Sequence, residues 1–345
     1  MSVPTWAQSE ILEFLKSPSS HRHTTHTPGV VETNQSWVVL MGNYAYKLYK
    51  AGSRPRGNTT PGQRLENAQL ELAANTKMAG RLYVGIRAIV PGKKGLTFAK
   101  VGTPGAVDYV LRMRRFDQAD LFYTRLFDGR LTADHLTALA DRLAAFHASQ
   151  PPSSAPQLRG CGPTLHRYMT TALSGYVGFL ANTSDGAVFA ALAEGWAAAM
   201  GRERFRLDNR NPWAHRHVHG DMDFGNIALL KSLPTPFDAQ VLDPLQAQED
   251  VLLDVGFVLA PLFLAHRPDL ARAFADRYFA LTGDVEGRQL AYLWVALAAL
   301  IRAGSWLRRA HRMPDSADKA LLLARGRTFL QVARAAIARE LPDLS

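Results

Sequence analysis

Three oxygen-bearing side chains close together in the sequence define the chemistry open to this chain. Residues 217–226 read HVHGDMDFGN and residues 241–244 read VLDP, so Asp221, Asn226 and Asp243 fall between apolar runs. The layout suits a loop that presents a base, followed by a hairpin that returns a carboxylate to the same spot. Moving a phosphoryl group needs an acceptor oxygen placed in line, a carboxylate to take its proton, and Mg²⁺ held by oxygen ligands across the phosphates. Asp221 can be the base, and Asn226 and Asp243 can be the metal ligands. His215, His217 and His219 alternate along an extended segment, which resembles metal-ligand spacing. The Gly220–Asp221 step that follows them favours the phosphoryl-transfer reading instead.

The elements that position such a set begin near the N-terminus. Residues 6–15 carry apolar side chains at helical spacing, and residues 17–29 read as a loop in which a solvated His21, His23 and His26 is favoured over a metal site. Two strands over residues 36–40 and 44–49 flank a Gly42–Asn43 turn. Lys47 sits mid-strand among apolar and aromatic residues, where burying an ammonium without a partner is costly. Alternation puts Ala45, Lys47 and Tyr49 on one face, and the pattern alone leaves a solvent-facing lysine open. With the downstream loop present, contact with nucleotide phosphates is favoured for Lys47, with Lys50 as the fallback. A helix over residues 64–79 offers Glu66 or Glu71 as the lysine's partner. Strands over residues 86–90, 96–101 and 107–113 complete a β-rich region, and residues 110–116 lead out of it. Beyond residue 120 the pattern is mostly helical, with helices over 133–149, 165–200 (two), 268–281, 288–309 and 317–340.

The HGDxxxxN pattern at residues 219–226 resembles the catalytic loop of the aminoglycoside phosphotransferase and choline kinase-like family. Asp243 stands where those enzymes carry the metal-binding Asp of DFG, although the triplet here reads DPL. Asp223 stands where many of them have His. A further run, Glu71-Leu-Ala-Ala-Asn75 through Leu82-Tyr-Val-Gly85, is similar to one in bacterial phosphotransferase-like domains and selects Glu71 over Glu66. The resemblance covers roughly residues 30–310. It implies an α+β, protein kinase-like bilobal fold, with a small β-rich N-lobe over 1–116 containing one key helix and a larger, mainly helical C-lobe over 117–345.

The same resemblance implies ATP between the lobes with Mg²⁺, Asp221 as base, and Asn226 and Asp243 on the metal. Lys47, fixed by Glu71, would contact the α and β phosphates, with Met113 and Arg114 lining the adenine site. Asp254 would tie the loop down through backbone N–H groups, with His219 as structural support and His147 as a packed structural histidine. Asp223 is a candidate acceptor contact. Arg302, inside an apolar helix, either pairs with a buried acid or reaches the acceptor.

Composition limits the alternatives. The 345 residues, 47% hydrophobic and 20% charged, fit a globular soluble protein. One cysteine, Cys161, excludes an internal disulfide and fits a reducing compartment. Glu10, Glu13 and Lys16 interrupt any leader, and the apolar stretches 251–265 and 290–301 are too short to span a bilayer, so a cytoplasmic protein is expected. The net charge of +10 comes from scattered arginines without an aromatic-studded basic stripe, which argues against nucleic acid as the main partner. An Arg-rich C-terminal third favours a neutral or anionic small-molecule hydroxyl acceptor over a polycationic one. A nucleotide-binding pseudokinase or regulatory module ranks second, because all five polar positions are present. A Mg²⁺-dependent phosphohydrolase lacks a visible nucleophile. Oligomeric state is left open.

Overall fold

Strand pairing in the N-terminal part is antiparallel throughout. In the computed structural model, residues 6–21, 27–33, 35–53, 58–152, 162–180, 185–240 and 248–344 are described. The chain divides into two compact units, Met1–Asp120 with Pro236–Val241, and Leu121–Thr235 with Leu242–Ser345. The first unit thus extends slightly past residue 116 and takes back a short later segment.

The first unit contains α1 (Gln8–Lys16), β1 (Gly29–Glu32), β2 (Ser36–Met41), β3 (Tyr44–Tyr49), α2 (Pro61–Ala79), β4 (Tyr83–Gly92), β5 (Gly95–Ala99) and β6 (Asp108–Arg114). The sheet order is β1-β2-β3-β6-β4-β5, so β6 lies beside the lysine-bearing β3, with Lys47 opposite Leu111. One face buries Val39, Met41, Leu48, Ile89 and Val110 against Ile11 and Leu15 of α1. The other carries α2, which starts where Thr60 Oγ1 accepts the Gln63 N–H at 3.2 Å and Pro61 fills the first turn. Arg64 of α2 is buried and pairs with Asp108 of β6 at 2.8 Å, which fixes the helix along the sheet. His21, expected in a solvated loop, is buried instead. Its Nε2 is 2.8 Å from the Leu15 carbonyl and its ring packs on Tyr46 and Phe98. His23 and His26 lie outside the described residues.

The second unit contains α3 (Phe122–Phe127), α4 (Ala133–Ser149), α5 (Gly162–Leu180), α6 (Gly186–Asp208), β7 (His215–His217), β8 (Ile227–Leu230), β9 (Leu233–Pro236), β10 (Gln248–Asp250), α7 (Leu252–Leu264), α8 (Pro268–Thr282), α9 (Val285–His311) and α10 (Ala317–Ala338). Helix α7 is apolar nearly all round because α8, α9 and α10 surround it. Residues 290–301, read from the sequence as too short to span a bilayer, belong to the 27-residue α9. By length and composition α9 could cross a membrane, yet 72% of its most apolar window is buried in the unit, as in a core helix. Arg210, with a fully buried side chain, joins Asp250 (2.9 Å) to Asp284 (2.5 Å), and so ties β10 to the N-cap of α9.

A Cβ at Gly256 of α7 would lie 2.5 Å from the backbone of Trp294, so only glycine permits this approach of α7 to α9. Gly256→Ala is therefore expected to cost about 1–3 kcal/mol, read as a lower urea midpoint at unchanged slope. A second outcome concerns Glu249 on β10, whose buried carboxyl accepts the Tyr168 O–H. Burial pushes its pKa from 4.5 up to about 7, against the opposing effect of that hydrogen bond. A carboxyl raised on folding contributes stability below its unfolded pKa and loses it as pH rises through the folded one. Stability should fall by about 3 kcal/mol between pH 4.5 and pH 8 on this account. Glu249→Gln should flatten that decline in urea titrations at the two ends of the range.

Candidate functional site

Lys47 is the centre of the first unit's polar cluster. Its ammonium lies 2.9 Å from Glu71 and 2.7 Å from Asp238, and only 9% of the residue is exposed. Burial opposes the charge, but the Asp238 and Glu71 carboxylates outweigh it and hold the Lys47 pKa above its ordinary value. Glu71 is itself fixed: the Tyr49 hydroxyl donates to one carboxylate oxygen and the Tyr83 hydroxyl to the other at 3.3 Å. Glu66 is exposed, and Lys50 instead pairs with Glu32 at 2.6 Å beside the Trp37 ring. Met113 is buried and Arg114 exposed at the end of the central strand β6.

Asp238 escaped the sequence reading. It follows β9 with a left-handed φ of 59°, its N–H donates to the Tyr83 hydroxyl at 3.1 Å, and the next N–H, of Ala239, donates to Asn75 at 3.0 Å. The available signal was a lone acid in an otherwise apolar PFDA stretch at residues 236–239.

The loop of the second unit is built from β7 outward. Strand β7 pairs antiparallel with β10, and Arg216 of β7 donates to the carbonyls of Trp213 (2.7 Å), His147 (2.9 Å) and Gln150 (2.6 Å). Val218 then enters the core, and the chain turns at Gly220, whose φ of 79° favours glycine. At this turn the His219 and Gly220 N–H groups donate to the two carboxylate oxygens of Asp254, each at 2.8 Å. Asp254 is fully buried near the start of α7. His147 Nε2 is 3.1 Å from the same carboxylate and its Nδ1 is 2.8 Å from the Tyr278 hydroxyl. A carboxylate can only accept, so Nε2 donates to Asp254, which holds the ring with Nδ1 beside the Tyr278 hydroxyl. Burial would raise the Asp254 pKa, but the hydrogen bond from His147 and the nearby His219 outweigh it and hold it below the ordinary value.

Past the turn, Asp221 and Asn226 meet. The Asn226 side-chain NH₂ donates to the Asp221 carboxylate at 2.9 Å and to its carbonyl at 3.1 Å. Asp223 accepts the Gly225 N–H at 2.8 Å, forming the short turn that brings Asn226 back. With the amide nitrogen committed to Asp221, the Asn226 amide oxygen is the atom left for a hard cation. Arg302 of α9 pairs with Asp221 and, at 2.9 Å, with Asp223, its guanidinium beside the Phe257 ring. The arginine's partner is thus the expected base itself, which is partly exposed, and not a buried acid. Asp243 lies outside the described residues. Among the described residues there is no cluster of three or more His, Cys, Asp or Glu side chains arranged for a metal.

Neither a family model nor a curated protein matches the sequence significantly. Solved structures do match the fold. A choline kinase from Cryptosporidium parvum Iowa II aligns at TM-score 0.55 and 10% identity over 97% of both chains. A choline/ethanolamine kinase family protein from Mesorhizobium loti aligns at 0.51 and 13%, over 96% of this chain and 99% of the other. An ethanolamine kinase from Plasmodium vivax aligns at 0.51 and 10%, over 91% and 82%. The chain has a protein kinase-like α+β fold, shared with these kinases.

Asp254→Ala leaves the His147 N–H and two loop N–H groups without their buried acceptor. The expected cost is about 3–5 kcal/mol in urea unfolding, with faster amide hydrogen exchange at His219 and Gly220. Unchanged exchange at those two amides would show that the loop is held elsewhere.

Proposed function

We propose that this protein is an ATP-dependent O-phosphotransferase that moves the γ-phosphoryl group to a hydroxyl of a small molecule. The observation that carries the reading is the loop of the second unit. Its backbone is fixed by buried Asp254, and its Asp221 carboxylate is oriented by Asn226. The fold shared with choline and ethanolamine kinases supports the same reading.

In this mechanism the acceptor oxygen forms a bond to the γ-phosphorus as the bond to the bridging oxygen breaks. ADP leaves with that electron pair, and the hydroxyl proton passes to the Asp221 carboxylate. Lys47 contacts the α and β phosphates, which replace Asp238 as its partners, while Glu71 keeps the ammonium in place. The Asn226 amide oxygen and Asp243 would hold Mg²⁺, which neutralises charge on the phosphates when bound. Met113 and Arg114 line the adenine site, and Asp223 and Arg302 border the acceptor. The single cysteine and the buried α9 fit a soluble cytoplasmic enzyme, and the scattered arginines fit a main partner other than nucleic acid.

One observation favours a second reading, a nucleotide-binding module without transfer. Asn226 and Arg302 engage both Asp221 oxygens, and Lys47 is held between two acids. Transfer requires Arg302 to release the base. ADP release across a panel of sugars, amino alcohols, nucleosides and hydroxy acids separates the two readings. Asp221→Asn should cut kcat by roughly 10²–10⁴ with nucleotide affinity retained, whereas Lys47→Met should weaken nucleotide binding. An Asp221→Asn protein that turns over normally removes Asp221 from the mechanism. ATP binding with no transfer to any compound favours the regulatory module.

A further inference from the structure

A second arginine stands next to this site with no carboxylate partner among the described residues. Arg325 of α10 lies 5.4 Å from the Tyr123 ring, 5.6 Å from Trp306 and 6.0 Å from Phe127, measured to the centroids. The other cations of that helix are paired: Lys319 with Asp315 at 2.7 Å, Arg327 with Asp185 at 2.9 Å and Arg334 with Glu340 at 3.4 Å. Arg325 has no acidic partner among the described residues. A guanidinium packed on ring faces keeps its N–H groups in its own plane, aimed past the rings and free to take a planar acid.

The location connects it to the base. Trp306 and Arg302 are one turn apart on α9, and so share a face. Tyr123, whose pKa is raised mainly by burial, feels both the Arg325 charge and the Asp223 charge. The ring cluster therefore continues the wall that Asp223, Arg302 and Asp221 begin. Along that wall the two arginines balance the two acids. The face of the rings, which would attract a cationic head group, is already taken by the protein's own guanidinium. An acceptor bearing an ammonium would meet Arg325 directly, whereas one bearing an acid would give it the partner it lacks.

We infer that the phosphoryl acceptor carries an acid group, a carboxylate or a phosphate monoester, that binds Arg325 while Tyr123 and Trp306 cover its less polar part. The inference rests on the kinase reading of Asp221 and names that site's substrate class.

Two matched sets of compounds test it: glucuronate, glucose and glucosamine, and glycerol 3-phosphate, glycerol and 3-amino-1,2-propanediol. ADP release gives kcat/KM for each, and calorimetry gives binding of the two acids to the nucleotide-free protein. The full-length wild type, Arg325→Met, Arg325→Lys and Asp221→Asn are compared, with thermal midpoints to show that each is folded. In the wild type the acid of at least one set should exceed its neutral partner by about tenfold or more, with the amine weakest. The better set identifies carboxylate or phosphate. Arg325→Met should erase the acid-over-neutral ratio through KM and lose acid binding, and Arg325→Lys should restore part of both. The proposal is overturned if an amine is the best acceptor, if the acid preference survives in Arg325→Met, or if neither acid binds or accepts phosphate. Asp221→Asn should slow transfer by roughly 10²–10⁴ and leave acid binding intact. Acid binding that depends on Arg325 without any transfer would instead sink the kinase reading and leave the acid site standing.

Discussion

The buried Asp254 carboxylate is the constraint on which the second unit's chemistry depends. It has no solvent exposure, so its charge is supported only by what the fold supplies: the His147 ring and two consecutive backbone N–H groups of the 219–220 turn. Ionised acids are not left unpaired in such places, because an uncompensated buried charge costs several kcal/mol. The turn must therefore stay where its amides reach Asp254, and Asp221, the next residue, inherits that position. Glycine at 220 supplies the left-handed backbone the turn needs. Arg216, bonded to three carbonyls, and the Arg210 bridge from Asp250 to Asp284 hold the surrounding segments in the same way.

Much of this was legible in the sequence, and the residues show why. The HGDxxxxN loop is local: Asp221 and Asn226 are five residues apart, and a tight turn must bring them together. Asp254 could be read because an acid in an apolar run needs buried donors; the helix after the lysine-bearing strand offered both Glu66 and Glu71, and only the resemblance of the Glu71–Asn75 run chose between them. What escaped was long-range pairing. Lys47 and Asp238 are 191 residues apart, and Arg302 and Asp221 are 81 apart, with no pattern that marks either pair. His21 was read as a solvated loop residue because its neighbours are polar, whereas its burial depends on Tyr46 and Phe98, which only the sheet brings near. Strand limits drifted for a related reason. Strand β4 begins at Tyr83 because that residue pairs with Met113 across a bulge, a contact that alternation along one strand does not record.

The two kinds of polar contact around the loop differ in burial, and that difference says which part can move. Asp254 and His147 have fully buried side chains, and taking the partners away from a buried carboxylate costs about 3–5 kcal/mol. Arg302, Asp221 and Asp223 keep side-chain exposures of 20%, 30% and 15%, so water reaches these pairs and screens them more than it can the fully buried Asp254. A ligand that offers either partner a comparable contact can therefore separate Arg302 from Asp221 without disturbing the turn beneath. The Asn226 bond to the other Asp221 oxygen holds the carboxylate in place while its first oxygen is released. In this arrangement the turn is the fixed part and the guanidinium the exchangeable one, so access to the Asp221 carboxylate is set by what competes for Arg302 and not by any rebuilding of the loop.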